Sequence, residues 1–364
     1  MSLFLCVDCG GSKTSAVITD NDGHIVGRAL GGPSNFSYMS AADFQQAIRT
    51  AVSNALKTCV SPPATEPIPL PVAPDTFATA WFGISGVDSD AAARNAAIAI
   101  APLINLPLGP HLTVANDTHL LAAPLRLHPD INHAVTAIAG TGSCVVSFTQ
   151  DPHGALVELA RTGGWGWILG DEGGGFHVGR ETMRLIMHDL ARASLGMPST
   201  PPSNLKDKVL AQFGITGEAN AAEVLPVIHI PEPHPNESAP DVPAYQMVAR
   251  EKRLSQLSPL VFDAAFKEGD AFALRVLRNC AGALADQIAM LCVTPGEDVA
   301  LKPRGVKPAE TILCFGGSLV GIEAYRELVL DELRKRGCVF RYVEFVEDAA
   351  AIGAVGLAAL GKKQ

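Results

Sequence analysis

Charged residues are scarce in this chain, and their scarcity excludes one class of partner. Charged residues make up 18% of the 364 positions and hydrophobic residues 48%, and the formal net charge is −9. Nucleic-acid binding depends on clustered Lys and Arg that contact phosphates, and no basic run occurs along the sequence. The composition predicts a well-cored soluble protein that binds no nucleic acid, and the length favours two domains.

Long apolar runs and paired cysteines are also missing. A membrane-spanning helix needs about 20 consecutive apolar residues, and no segment approaches that length. The first residues, MSLFLCVDCGG, have no basic segment and predict a buried strand, not a signal peptide. Cys6 and Cys9 form a lone C-x2-C without a second pair at zinc spacing. We expect a cytoplasmic protein with reduced core cysteines and no membrane partner.

Apolar runs alternate with turn signals in the first third of the chain. The pattern predicts strands at 3–8, 15–19, 24–29, 77–84 and 112–115, and helices at 41–58 and 91–100. The order βββαβαβ is typical of a mixed sheet with helices on its faces. A segment with many prolines, residues 60–74, connects the two halves of this unit.

The next part of the chain repeats this pattern at an offset of 131 residues. Four turn residues recur: Gly11 at Gly142, Ser12 at Ser143, Asp20 at Asp151 and Gly23 at Gly154. Asp8 falls on Ala139, so the second copy keeps the turn but drops the carboxylate. An internal duplication is the economical interpretation. It predicts an N-terminal domain at 1–116, completed by a C-terminal helix at 348–364, and a second domain at 117–347 with a helical insertion. Within the second domain, the sequence predicts an irregular insertion at 226–243 and a last strand at 339–345.

Three glycine turns each follow an apolar strand, at residues 8–14, 140–143 and 316–318. Backbone N–H groups freed at such turns can bind phosphate oxygens. None matches the Walker A pattern or G-x-G-x-x-G before a helix. One such turn alone is more typical of a plain hairpin, but three of them, two related by duplication, favour a phosphate-binding cleft.

A fourth glycine-rich stretch, residues 162–180, has a different composition. Its sequence, TGGWGWILGDEGGGFHVGR, carries two tryptophans and an acidic pair. Flexible linkers rich in glycine are usually polar and serine-rich, whereas tryptophan offers flat apolar surface and an N–H donor. This stretch therefore predicts a binding loop.

The combination DCGGSKT, NDT, AGTGS, GGWGWILGDEGGG and LCFGGS resembles the actin-like ATPase superfamily of sugar kinases, actin and heat-shock 70 proteins. Within it, the chain is similar to the N-acetylglucosamine kinases, which share a sequence family with the BadF/BadG-type ATPases. The resemblance runs from residue 3 to about 360 and is weakest at 60–74 and 200–255. It implies an α/β fold of two ribonuclease-H-like domains flanking a nucleotide cleft, in agreement with the duplication.

The resemblance also implies an ATP and Mg2+ site. Asp8 would organise Mg2+ through water. Lys13 would add positive charge near the phosphates, but a lysine at this position is equally typical of a solvated hairpin tip. The residues expected to hold ATP are Gly10, Gly11, Ser12, Lys13 and Thr14 for the β- and γ-phosphates, Thr141, Gly142 and Ser143 for the second phosphate turn, and Gly316, Gly317 and Ser318 for the adenosine. Cys9 and Ser12 depart from the third glycine and the threonine that these kinases usually carry.

For the acceptor sugar, the resemblance implies Asp117 as the catalytic base and a set of sugar contacts: Asn35, Asp117, Gly164, Trp165, Gly166 and Asp171. Each has a plainer interpretation as well. Asn35 suits a turn, Asp117 suits a helix N-cap, and Trp165 suits a buried core.

Several functions remain open from the sequence. The resemblance implies transfer of the ATP γ-phosphate to the 6-hydroxyl of N-acetylglucosamine. Glucosamine or another amino sugar is an alternative, with Glu172 as a partner for its ammonium group. An ATP-hydrolysing activator with an iron–sulfur cluster between subunits, and a sugar sensor without turnover, are the others. The oligomeric state stays open, with a homodimer as one option.

Overall fold

The computed structural model describes residues 2–152, 154–198, 201–231 and 244–362. Its first sheet has the strand order β3-β2-β1-β4-β5. The strands are β1 (Leu3–Cys9), β2 (Thr14–Thr19), β3 (Ile25–Gly31), β4 (Phe77–Ile84) and β5 (Leu112–Ala115). β1 and β2 are buried at almost every position because helices cover both faces of the sheet.

The second sheet repeats the first. Its order is β8-β7-β6-β9-β10, and its strands are β6 (His133–Ala139), β7 (Ser143–Gln150), β8 (Leu156–Gly163), β9 (Thr311–Gly316) and β10 (Tyr342–Phe345). In each sheet the first three strands form an antiparallel meander. The fourth strand pairs in parallel with the first, and the fifth pairs in parallel with the fourth. The predicted α/β duplication is confirmed. We call each sheet with its helices a lobe.

The first hairpins of the two lobes differ in length. Cys9 pairs with Thr14 across β1 and β2, whereas Ala139 pairs with Ser143 across β6 and β7. The second turn is therefore one residue shorter, and the N–H of Gly140 donates directly to the carbonyl of Gly142 at 3.0 Å. A constant offset in sequence thus hides a tighter turn in the second copy.

The helices fill the faces of the two sheets. They are α1 (Ala41–Ala55), α2 (Asp90–Ile104), α3 (Thr118–Leu121), α4 (Gly166–Leu169), α5 (Gly175–Ser194), α6 (Asn204–Ala211), α7 (Val224–His229), α8 (Arg250–Ser255), α9 (Ser258–Phe266), α10 (Ala271–Met290), α11 (Glu323–Lys335) and α12 (Ala349–Gly361). No helix among the described residues is long and apolar enough to cross a membrane.

The C-terminal helix α12 packs on the first lobe. Ala354 and Leu357 share a buried cluster with Phe4 and Trp81, and a Cβ at Gly353 would lie 2.4 Å from the Cys6 sulfur. Small residues in α12 permit this close approach to β1. The chain therefore returns from the second lobe to cover the first sheet.

Two segments differ from the sequence-based expectation. The last strand, expected at 339–345, begins at Tyr342, because Arg341 donates its N–H to the carbonyls of Pro308 and Thr311 just before the strand. The insertion expected to be irregular at 226–243 starts inside α7, and its remaining part from 232 to 243 lies outside the described residues.

Candidate active site

The first glycine turn lies open at the carboxyl end of β1. The N–H of Gly10 donates to the carbonyl of Lys13 at 2.9 Å, while Gly11, Ser12 and Lys13 are exposed. A Cβ built on Gly11 would meet no atom within 4 Å. Thr14 differs from its neighbours, because it is fully buried and its hydroxyl contacts the Gly32 carbonyl at 2.7 Å. The backbone from Gly10 to Lys13 is accessible to a ligand, and the Thr14 side chain fastens the turn to the lobe.

The second glycine turn is supported from behind by the tryptophan-bearing loop. The N–H of Ser143 donates to Asp171 Oδ1 at 3.1 Å, and the Ser143 hydroxyl donates to the Glu172 carbonyl at 2.7 Å. A Cβ on Gly142 would lie 2.5 Å from Asp171 Oδ1. Asp171 is buried and adopts a φ of 63°. Thr141 stays exposed above this support.

The third glycine turn lies beside the second. Gly317 has a φ of 98°, and a Cβ there would lie 2.6 Å from the carbonyl oxygen of Ala139. The N–H of Leu319 donates to that same carbonyl at 2.9 Å. Parallel β6 and β9 thus bring residues 140–143 and 316–318 together at one edge of the second sheet.

Asn35 and Asp117 meet in one cavity at the corresponding edge of the first sheet. The cavity has a volume of about 300 Å3, and its lining includes Asn35, Ser85, Asp117, Arg161 and Gly164. We call it the acceptor cavity. Asn35 Nδ2 donates to the Ser85 hydroxyl oxygen at 3.1 Å, and that hydroxyl in turn hydrogen-bonds to the Asp117 carboxylate. Ser85 therefore holds the two predicted sugar ligands in a fixed relation.

Asp117 makes no capping hydrogen bond to α3. Asn116 caps the helix instead, because its Oδ1 accepts a hydrogen bond from the N–H of Thr118 at 3.0 Å. The Asp117 carboxylate is thereby left facing the acceptor cavity.

Burial and neighbouring charge raise the pKa of both carboxylates at this edge. Burial first, and then the charge of Asp117, raises the pKa of Asp8 from 3.8 to about 6, against the opposing effect of Lys13. Burial also raises the pKa of Asp117, while the nearby Thr118 N–H and then the Ser85 hydroxyl oppose the rise. Desolvated carboxylates of this kind are stronger bases than exposed ones.

Three of the four remaining predicted sugar contacts lie apart from this cavity. Gly164 lines it, but Trp165, Gly166 and Asp171 do not. Trp165 is 60% exposed, and Ile168 and Leu169 in the following turn of helix are 72% and 75% exposed. The loop therefore presents an uncovered apolar surface next to the acceptor cavity.

A network of charged and aromatic groups fixes the far end of this loop. Glu172 contacts Arg180 at 2.7 Å and His177 at 3.0 Å, and the N–H of Gly173 donates to His177 Nδ1 at 2.9 Å. The buried hydroxyl of Tyr325 donates to the Gly173 carbonyl at 2.9 Å. Glu172 is thus engaged within the second lobe.

Comparison with known proteins agrees with this architecture. Residues 5–361 match the sequence profile of the BadF/BadG/BcrA/BcrD ATPase family. The chain belongs to this ATPase family.

Two curated relatives are similar along much of their length. The N-acetyl-D-glucosamine kinase of Dictyostelium discoideum is 24% identical over 290 residues, 79% of this chain and 78% of the relative. The N-acetylmuramic acid/N-acetylglucosamine kinase of Clostridium acetobutylicum is 24% identical over 188 residues, 51% of this chain and 54% of the relative.

Solved structures match the whole chain. A "Putative N-acetylglucosamine Kinase" from Porphyromonas gingivalis has a TM-score of 0.58 at 20% identity and covers 100% of both chains. Another from Chromobacterium violaceum has a TM-score of 0.56 at 22% identity and covers 99% of both. With the duplicated sheets, these likenesses show that this member of the ATPase family has the two-domain actin-like fold.

Sequence reasoning missed the residues that connect the predicted ones. The strand predicted at 77–84 ends just before Ser85, and neither Asn116 nor Arg161 is among the predicted site residues. One signal was present for Ser85: the run Ile84-Ser85-Gly86 is a further small-residue turn after an apolar strand. For Arg161, which comes from the other lobe, the sequence contains no such signal.

Proposed function

We propose that this protein is an ATP-dependent kinase that phosphorylates the 6-hydroxyl of N-acetylglucosamine. The observation that carries the proposal is the acceptor cavity, where Ser85 joins Asn35 to the half-buried carboxylate of Asp117. The glycine turns supply phosphate-binding backbone at the ends of the neighbouring strands. Membership of an ATPase family and two curated relatives that are N-acetylglucosamine kinases support it.

Asp117 acts as the general base in this proposal. Phosphoryl transfer requires mainly that groups be positioned and charge be stabilised, with one carboxylate accepting the proton of the attacking hydroxyl. Burial raises the pKa of Asp117 and so strengthens it as a base. Asn35 would bind a neighbouring sugar hydroxyl from its place beside Ser85.

Asp8 serves the nucleotide side. Mg2+ usually keeps several waters and is held by one or two carboxylates together with substrate phosphates. The Asp8 carboxylate at the end of β1, beside the first glycine turn, fits that requirement. The metal would neutralise charge on the phosphates, and the exposed N–H groups of Gly11 and Thr141 would bind phosphate oxygens from the two lobes. Gly316, Gly317 and Ser318 would approach the adenosine.

Trp165 and Gly166 would reach the sugar when the lobes close. The exposed Trp165, Ile168 and Leu169 form an apolar surface that closure would cover. Asp171 has a different role in this proposal, since its carboxylate already accepts the Ser143 N–H. It would position the second phosphate turn.

Glucosamine is the less favoured acceptor. Glu172, the expected partner of its ammonium group, is already paired with Arg180. Free buried cysteines such as Cys280 and Cys314 suit the reducing cytoplasm in which we place this kinase.

A coupled ADP-release assay tests the proposal. N-acetylglucosamine, glucosamine, N-acetylmannosamine and glucose are compared with MgATP at saturation. We expect N-acetylglucosamine to give the highest kcat/KM. Failure of all four sugars would overturn the kinase assignment, and ATP hydrolysis without an acceptor would favour the activator class.

A further inference from the structure

A second cavity lies between the lobes and differs from the acceptor cavity in its chemistry. Its volume is about 710 Å3. The first lobe contributes residues of β4, β5 and α2, and the second lobe contributes β8. The two cavities share only Asp88, Asn116 and Arg161 in their linings. We call the second one the rear cavity.

The inner wall of the rear cavity holds two buried donors. Trp81 is 1% exposed and Arg126 is 6% exposed. The guanidinium carbon of Arg126 lies 4.1 Å from the centroid of the Trp81 ring. A Cβ on Gly356 of α12 would lie 3.2 Å from Arg126 Cδ, so α12 packs closely against the alkyl part of this side chain.

These donors lack acceptors among the described residues. Trp81 Nε1 and the Nε and Nη1 of Arg126 have no hydrogen-bond partner there. Arg126 Nη2 reaches the Gly154 carbonyl only at 3.4 Å. An unpaired buried guanidinium is costly, and burial lowers the pKa of Arg126 only to about 10. The group therefore stays charged at neutral pH.

The donor set defines the ligand. Indole and guanidinium nitrogens donate hydrogen bonds and accept none, so the ligand must bring acceptor oxygens and negative charge. Asp88 and Asp90 are exposed at the mouth of the cavity, and Glu158 is paired with Arg161 at 3.3 Å. The negative charges at the opening of the cavity disfavour a polyanion such as a nucleoside triphosphate.

We propose that the rear cavity binds a small metabolite through one carboxylate or monophosphate group, held by Arg126 and Trp81. The ligand bridges the lobes, because β8 faces these residues across the cavity. It occupies a site separate from the acceptor cavity, so it does not compete with the sugar.

Thermal unfolding of the full chain with acetate or inorganic phosphate tests the proposal, with chloride at equal ionic strength as reference. Both probes are expected to raise Tm by about 2 °C or more at saturation. Arg126→Met and Trp81→Phe, which keeps the aromatic ring, should lose the response to acetate. Arg94→Met, on the exposed face of α2, should keep it. Acetate separates this site from the glycine turns, which also bind phosphate.

Two further measurements keep the test decisive. The ligand-free Tm of Trp81→Phe is compared with wild type, so that a lost response is not mistaken for unfolding. Calorimetric titration of N-acetylglucosamine with and without acetate should give the same Kd. The proposal is overturned by probes that act no differently from chloride, by a response that survives Arg126→Met, or by acetate that competes with the sugar.

Discussion

Replacing Asp171 by alanine tests whether the acidic end of the tryptophan-bearing loop supports ATP binding or sugar binding. Asp171 Oδ1 accepts the N–H of Ser143 at 3.1 Å from behind the second glycine turn. The change removes that support and leaves the acceptor cavity, which Asp171 does not line, intact. We therefore expect Asp171→Ala to weaken the use of ATP and to spare sugar binding.

The size of the effect follows from the lost hydrogen bond. A hydrogen bond to a charged group contributes about 1.5–3 kcal/mol, which corresponds to roughly 10- to 150-fold in kcat/KM. The distance of 3.1 Å is long for a charged pair, so the lower end, about 10- to 30-fold for ATP, is expected. Asp171→Asn is the matched control, because asparagine tolerates the φ of 63° and keeps an acceptor oxygen. It should stay within about threefold of wild type.

Steady-state kinetics with varied ATP and calorimetry with N-acetylglucosamine in the absence of nucleotide separate the two possibilities. The reasoning fails if Asp171→Ala raises the Kd of the sugar more than tenfold while the KM of ATP stays unchanged. That result would assign Asp171 to the sugar.

Three other perturbations have defined outcomes. Gly142→Ala should lower stability by about 1–3 kcal/mol, because its Cβ would lie 2.5 Å from a buried carboxylate oxygen, whereas Gly11→Ala should leave Tm unchanged; equal Tm values for both would contradict this. Ser85→Ala removes a hydrogen bond that lowers the pKa of Asp117, so the acid limb of the kcat/KM profile should move to higher pH and kcat should fall about tenfold; an unmoved limb would count against it. Asp8→Asn should abolish turnover yet stabilise the metal-free protein at pH 8. Because the pKa of Asp8 is raised in the folded state to about 6, ionisation of this carboxyl destabilises the fold as the pH rises through that value. The variant should therefore gain up to roughly 3 kcal/mol in its free energy of unfolding at pH 8. Chemical unfolding at pH 4 and pH 8 checks it, since the gain should shrink at the lower pH.

Much of the fold was predictable because the strand–turn pattern of the first domain recurs later in the sequence. Two strand–turn–strand units in sequence register indicate two similar sheets, and apolar runs in β1 and β4 indicate buried strands. Local signals sufficed there, since neighbouring strands in each hairpin are also neighbours in sequence. The shorter second turn could not be predicted, because the strand that follows it is longer. β7 has 8 residues and β2 has 6, so the next turn, at Asp151, still lies at the offset expected from Asp20.

The site was predictable only as a set of separate pieces. The resemblance supplied Asn35 and Asp117, but the residue that joins them, Ser85, is 50 positions from Asn35. Likewise, Asp171 contacts Ser143 across 28 residues. Such contacts depend on how strand ends converge in three dimensions. A sequence shows which residues can do the chemistry, and the fold decides which of them meet.

The measurement that tests the central claim most directly is turnover by the Asp117→Asn variant with N-acetylglucosamine and MgATP. Loss of the general base is expected to lower kcat by roughly 100-fold or more, while the Kd of the sugar, measured by calorimetry, changes little. The account predicts that the wild-type protein releases ADP in response to N-acetylglucosamine. It also predicts that the variant binds this sugar without releasing ADP. An Asp117→Asn variant that turns over at the wild-type rate would contradict it.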